Sequence, residues 1–454
     1  MLQDSSQKRR SRRIATIAAA AASALLLAGC AGGASGEVNS EYGFATAEQE
    51  ADSPIMVWVD AAREPAIAAF QEANPDVPIE YEVYDGNAGG SGTFQTRIAL
   101  MDQAGEGWPD VVFSTQQNDA SWASQPAPGG GQGFAAPLNK GFFDQEFLDG
   151  FSTGALDPST IDDTVYGLRN DLAQVVTYYN QSLLDQFGYE VPTTWEEYGQ
   201  LGEKLAAEHP GYILGSVGDA FMPYVYYQGS QSPVFQTEGD TFVADMESEN
   251  SVEITKILDK MIANGTIVQD SVFSAEFTSK YADKVVVMPG PVWYTGAVFQ
   301  SGLQVPEGQL GVAAPLAWEG EEIATGNVGG GIWYASSHTK NLEAAKTFLE
   351  FAVSAPEFQV ELSSGYPAYS SAAEGWLGKL ADTGYFIDGF EQQMIDAGGS
   401  IWSGWASARF SPETGWATTV MPAIAEGKTI ESVLPAWQTE VLNEAQVNGY
   451  TVAE

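Results

Sequence analysis

Three groups of polar residues fall where strands are predicted to end. The first strand closes on Trp58 and Asp60, the second on Asp85 and Asn87, and the third on Thr115, Gln116, Gln117, Asn118 and Asp119. In a doubly wound sheet the carboxyl ends of the strands form the ligand crevice. Carboxylates and amides placed there suit hydrogen bonding to hydroxyls, and an indole suits stacking on a flat C–H surface. That combination fits a polyhydroxylated ligand. Asp60, just before a helix, serves equally well as a helix cap. Signals for covalent or metal chemistry are missing: the chain has no nucleophile elbow, zinc-binding His pair, Walker loop or dinucleotide fingerprint. Its two histidines, His209 and His338, are isolated, and the run at 129–131 lacks the Lys and Ser/Thr of a phosphate loop. No metal and no cofactor are expected. A glycoside hydrolase needs only two placed carboxylates, so 60 acidic residues leave a glycan-active enzyme open by counting.

The elements that position these residues alternate. Residues 54–59 form a short apolar run, 64–72 have a helical pattern, 79–84 alternate, 94–104 are again helical, and 110–113 are apolar. Strand, helix, strand, helix, strand at this spacing predicts parallel βαβ units in an open twisted sheet. Further along, strands are expected at 165–168, 174–179 and 285–288, the last broken by Pro289-Gly290-Pro291. Helices are expected at 194–208, with a threonine cap and an acidic first turn, at 251–264, at 342–353, and at 429–447 with an interruption at Pro435.

The N-terminal thirty residues carry a different signal. Lys8, Arg9, Arg10, Arg12 and Arg13 precede an apolar stretch from Ile14 to Ala28, which is the layout of a secretory signal peptide. It ends in Leu27-Ala28-Gly29-Cys30, which resembles the bacterial lipobox, where the Cys is acylated and becomes the mature N-terminus. Cys30 is the single cysteine, so no intramolecular disulfide is possible. Residues 1–29 are read as the signal peptide and 30–52, rich in Gly, Ala, Ser and Glu, as a lipidated flexible tether. Arg12-Arg13 leaves the general and twin-arginine export routes both open. The formal net charge of −41 disfavours nucleic acid, which needs clustered Lys and Arg, and disfavours adhesion of the body to anionic lipid. Twelve Trp, 19 Tyr and 22 Phe are too many for a disordered acidic chain.

Three segments in order carry a family resemblance. They are Val57-Trp58-Val59 with Phe70-Gln71-Glu72-Ala73-Asn74-Pro75 and Trp108-Pro109-Asp110-Val111-Val112; Tyr166-Gly167-Leu168 with Tyr178-Tyr179-Asn180, Leu183-Leu184 and Pro192-Thr193-Thr194-Trp195-Glu196-Glu197; and Gly329-Gly330-Gly331 with Asn341-Leu342-Glu343-Ala344-Ala345-Lys346, Phe348-Leu349 and Phe351. Together they resemble the carbohydrate-binding lipoproteins of bacterial ABC importers, in the group that includes maltose-binding proteins. The resemblance implies an α/β, two-lobed periplasmic-binding-protein fold. Each lobe would be a doubly wound, mostly parallel sheet, with a hinge crossed more than once. Lobe one would be 53–167 and 316–360, and lobe two 168–315 and 361–454. It implies a monomer, tethered through Cys30, that captures a mono- or oligosaccharide in the cleft and delivers it to the permease subunits.

By position, Trp58 and Asp60 match the family's first-strand site, and Asn118 and Asp119 its polar pair after the third strand. Pro291-Val292-Trp293 stands where the family has Gly-Pro-Trp; the extra Val leaves Trp293 and Tyr294 competing for the stacking role. Phe221, Tyr224 and Tyr226 lie in a stretch that often contributes a ring. Gly330 and Gly331 resemble a glycine pair that approaches the ligand, or form a tight turn. Tyr366, Trp402 and Trp405 are further candidates. Arg169 and Asp171 replace a more neutral hinge segment; they pair with each other, or Arg169 reaches an acidic ligand. The alternatives to an importer component are a secreted glycan-active enzyme and a polysaccharide-binding surface lectin, and the alternative ligands are an acidic sugar and an amino acid or peptide.

Overall fold

The computed structural model describes residues 38–39, 41–84, 92–127 and 130–453. Cys30, Asp85 and Asn87 lie outside the described residues. β1 (Ile55–Val59), α1 (Glu64–Ala73), β2 (Ile79–Val83), α2 (Gly92–Ala104) and β3 (Val111–Ser114) follow one another as the alternation predicts. β1 is parallel to both β2 and β3. It is apolar on both faces because both are covered. Val57 and Val59 join the larger core, whereas Trp58 packs with Phe94 and Ile98 of α2 on the other side. The sheet continues from β3 to strand Ile332–Ala335 and then to Leu168–Arg169.

A second sheet has strand Val175–Asn180 between Val287–Pro291 and Leu310–Ala313. The two-lobed α/β class stands, but strand direction is more mixed than the sequence suggests. Strand Ile332–Ala335 runs antiparallel to both neighbours, and the second sheet is antiparallel throughout. The reason is connectivity. Strands reached by passing from one sheet to the other are not bound by the βαβ crossover that enforces parallel pairing.

The chain makes that passage three times. It leaves the first sheet over 170–174 and returns over 314–331. It passes again after helix Ser370–Asp382, which packs against helix Pro356–Gln359; residues 385 and 387 then exchange backbone hydrogen bonds with the 308–310 segment.

Local sequence explains the helix limits. Thr194 caps helix Trp195–Glu208 by accepting from the Glu197 amide at 3.1 Å, while the Glu197 carboxylate accepts from the Thr193 amide at 2.8 Å. Helix Glu249–Asn264 starts two residues earlier than its apolar pattern, at a Ser248 cap, and stops at Gly265 with φ 81°. Two proline readings are corrected. Strand Val287–Pro291 runs through Pro289 and Pro291, because it lies at a sheet edge where a missing N–H breaks no ladder bond. Pro435 does not interrupt the last helix; that helix begins at Leu434, and proline is accommodated in its first turn, where the amide has no partner to lose. Trp195, Trp333, Trp416 and Trp437 are fully buried, so much of the aromatic excess is core. No helix among the described residues is long and apolar enough to cross a membrane.

Candidate functional site

A cavity of about 470 Å³ opens where the two sheets meet. One wall is polar and follows the first sheet. Thr115, Gln116 and Gln117 come directly off the end of β3, and Arg63 stands at the start of α1. The Arg63 guanidinium donates to Asp60 at 3.3 Å and to Asp171 at 3.2 Å, and lies 4.4 Å from the centre of the Phe113 ring. Burial raises the Asp171 carboxyl above the usual carboxylate range, against the opposing pull of Arg63 and the Asn170 amide.

The other wall is aromatic and follows the second sheet. Trp293 comes just after strand Val287–Pro291, half-buried, with its indole N–H donating to the Val328 carbonyl at 2.9 Å. Phe273 lies nearly parallel to it at 6.0 Å and 12°, and Phe221 meets it edge-on at 6.0 Å. Phe273 is 53% exposed, unusual for a ring in a folded body. Tyr224 and Glu413 close the floor, the tyrosine hydroxyl donating to the carboxylate at 3.1 Å.

The glycine segment 329–331 lines the same cavity. Gly330 and Gly331 have φ of 90° and 56°. A Cβ on Gly330 would stand 2.3 Å from the Asp171 carbonyl, and one on Gly331 2.2 Å from the Phe113 ring. Both are therefore required by turn conformation and close packing, as well as bordering the cavity.

A family profile described as bacterial extracellular solute-binding protein matches residues 65–377. The chain belongs to that family. Among relatives, the arabinooligosaccharide-binding protein of Halalkalibacterium halodurans is 22% identical over 318 residues, 67% of this chain and 68% of that one. Among solved structures, the galacto-N-biose-/lacto-N-biose I-binding protein of an ABC transporter from Bifidobacterium longum superposes with a TM-score of 0.71 at 15% identity, covering 90% of this chain and all of that one. An ABC-transporter-associated binding protein from B. animalis subsp. lactis Bl-04, in complex with β-1,6-galactobiose, gives 0.70 at 18% identity, over 88% and 99% of the two chains. These likenesses establish the two-lobed fold.

In this solute-binding protein, nine of the residues singled out from sequence border the cavity: Thr115, Gln116, Gln117, Asp171, Phe221, Tyr224, Trp293, Gly330 and Gly331. Asp60 stands one bond behind, holding Arg63. Trp293 and Tyr294 no longer compete. Tyr294 is buried beneath Gly290, and Trp293 alone faces the cavity.

Other candidates are engaged elsewhere. Trp58 is 2% exposed, covered by α2, with the Arg97 guanidinium 3.7 Å from its ring centre. Asn118 donates to the Ala408 and Phe410 carbonyls at 2.8 and 2.7 Å, and Asp119 accepts from Ser114 and from Gln95. Both are buried ties between the β3 loop and its neighbours. Tyr366 is buried against Trp376. Trp402 borders a separate 280 Å³ cavity, on the far side of the Gln117–Asn327–Gln228 hydrogen-bond chain.

The expected Arg169–Asp171 pair is not formed. Arg169 is 2% exposed and donates to four oxygens: the carbonyls of Asp171, Leu172 and Gly329, and the Gln117 side chain at 2.8 Å. The Asp171 carboxylate turns instead to Arg63. Each group takes the partner its backbone position offers, and the fork of Arg169 fits converging carbonyls better than one carboxylate. Arg63, Phe273 and Glu413 were missed. The i, i+3 spacing of Asp60 and Arg63 was a usable signal for the first. The other two sit outside strand ends, where sequence gives no pointer.

Proposed function

We propose that this solute-binding protein captures an oligosaccharide in the 470 Å³ cavity and delivers it to an ABC importer. The observation that carries the reading is the opposition of two walls. A Trp293–Phe273–Phe221 surface suits the flat C–H face of a pyranose or furanose ring, and the Gln116, Gln117 and Asp171 side chains opposite, with Glu413 on the floor, suit its hydroxyls. The volume lies within the roughly 300–1,000 Å³ of small-molecule sites, which favours a short oligosaccharide over a polymer. The names of the relatives agree with this ligand class and with binding without turnover. Closure of the two lobes around the sugar would give the importer its signal.

A thermal-shift screen tests this. Arabinooligosaccharides, lacto-N-biose and β-1,6-galactobiose are offered beside amino acids. A ligand at about 100 times its Kd adds about 2.7 kcal/mol to the folded state, so the binder raises the Tm. Chromatography then returns the sugar intact. A shift from amino acids with none from any sugar overturns the ligand class, and cleaved sugar overturns the binder.

Cys30 is the proposed lipid anchor, on the strength of the basic and apolar residues before Leu27-Ala28-Gly29-Cys30. Cys30→Ala should release the protein from the membrane fraction with sugar binding unchanged. Continued tight membrane association in that variant would remove the anchor from the account.

A further inference from the structure

The cavity is bordered by one buried carboxyl group that, among the described residues, no basic side chain pairs with. Arg63, the cationic side chain on its wall, is held between the carboxylates of Asp60 and Asp171. Arg169 lies behind Gly330 with its donors spent on carbonyl oxygens. The single charge of Arg63 already faces two carboxylates, and Arg169 is screened from the cavity by the glycine turn. Glu413 is 3% exposed, borders the cavity, and accepts from the Tyr224 hydroxyl; among the described residues no Lys, Arg or His pairs with it. The other ionisable groups acting on it are Asp119 and Glu444, both acidic. Across the cavity stand Arg63 and Asp171, already joined.

We propose that Glu413 reads the charge of the ligand, so that the cavity takes neutral oligosaccharides and rejects their uronate-bearing counterparts. This rests on the sugar-binding reading above and deepens it. A neutral sugar offers hydroxyl protons to the carboxylate. A ligand carboxylate brought to the same floor meets a like charge in a site whose lining cation already faces two carboxylates, and like charges brought together at a desolvated contact weaken binding severely. Burial, with the acidic neighbours adding to it, pushes the Glu413 carboxyl up to about 7. Below that pH the group is increasingly neutral and an anion is tolerated; above it the group is charged and repels the anion.

The test uses matched ligands and the full mature protein. Affinities for β-1,6-galactobiose, lacto-N-biose and arabinotriose are measured by calorimetry. Whichever sugar binds is compared with its C6- or C5-oxidised acid, at about pH 5.5 and about pH 8.5, on either side of the Glu413 titration. The wild type should prefer the neutral sugar at least about tenfold at the higher pH, with the preference shrinking at the lower one. Glu413→Gln should cut the preference to about threefold or less and abolish its pH dependence, by gaining affinity for the acid. Tyr224→Phe removes the donor that steadies the carboxylate and should narrow the preference in the same direction, so the proposal does not depend on one variant folding. A neutral-to-acid ratio that stays the same in Glu413→Gln, with sugar bound, overturns this proposal alone. Absence of binding by every neutral sugar overturns both this proposal and the sugar reading.

Discussion

Replacing Trp293 with alanine weakens sugar binding by about 1–3 kcal/mol, roughly ten- to a hundredfold, and leaves the unfolding midpoint nearly unchanged. The ring is half-buried, so its loss opens no large core void. It is nonetheless fixed in place. Phe273 supports it from one side at 12° from parallel, and the Val328 carbonyl holds the indole N–H at 2.9 Å. A ring already immobile loses little entropy when the ligand stacks on it. Trp293→Phe keeps a stacking face but not the hydrogen bond, and should recover part of the affinity. Trp58→Ala is the informative contrast. That ring is 2% exposed, lies 5.9 Å from Tyr84, and is sandwiched by Arg97. Its removal should cost about 3–5 kcal/mol of stability and leave the affinity of the folded protein close to wild type. Calorimetric titration and urea unfolding of both variants separate the two outcomes. Lost affinity at unchanged stability in Trp58→Ala would return Trp58 to the binding site; unchanged affinity in Trp293→Ala would remove the aromatic wall from it.

The contrast shows what the sequence could and could not say. Periodicity located β1 and β3 as apolar runs, because both faces of each are covered, α1 by its one buried face, and β2 by alternation, an edge strand left mostly exposed. Caps such as Thr194 and stops such as Gly265 were legible for the same local reason. The strand-end rule then identified the right end of the sheet, but not the direction of each side chain. Gln116 and Gln117 turn into the cavity, while Asn118 and Asp119, one and two residues on, turn to the C-terminal segment and to Gln95. Trp58 is one residue short of the strand end, so its side chain stands on the sheet face under α2. Glu413 lies outside any regular element, 242 residues after Asp171, and Phe273 lies just before helix Ala275–Tyr281. Neither has a periodic pattern to betray it. Only the three passages between the sheets bring them to one place.

Those passages depend on Arg169, and Arg169→Met should cost about 3–5 kcal/mol of stability. The guanidinium has no hydrogen-bonded carboxylate partner. Its charge is met by the carbonyls of Asp171 and Leu172 on the first passage, by the Gly329 carbonyl on the second, and by Gln117 from the end of β3. Burial lowers its pKa to about 10, which still leaves it protonated at neutral pH. Methionine of similar reach would fill the space and leave the Asp171, Leu172 and Gly329 carbonyls without their donor, while the Gln117 side chain keeps the Asn327 amide at 2.7 Å. Arg169→Lys should rescue little, because three donors on one nitrogen cannot match a planar fork spread over three segments. Since Gln117 and Gly329 also border the cavity, sugar affinity should fall alongside stability, in step with loosening of the walls. Urea unfolding and calorimetric titration on the same preparations check this. A variant with wild-type stability and lost affinity would show that Arg169 meets the ligand itself, and would reopen the acidic-ligand reading that its four hydrogen bonds within the protein now argue against.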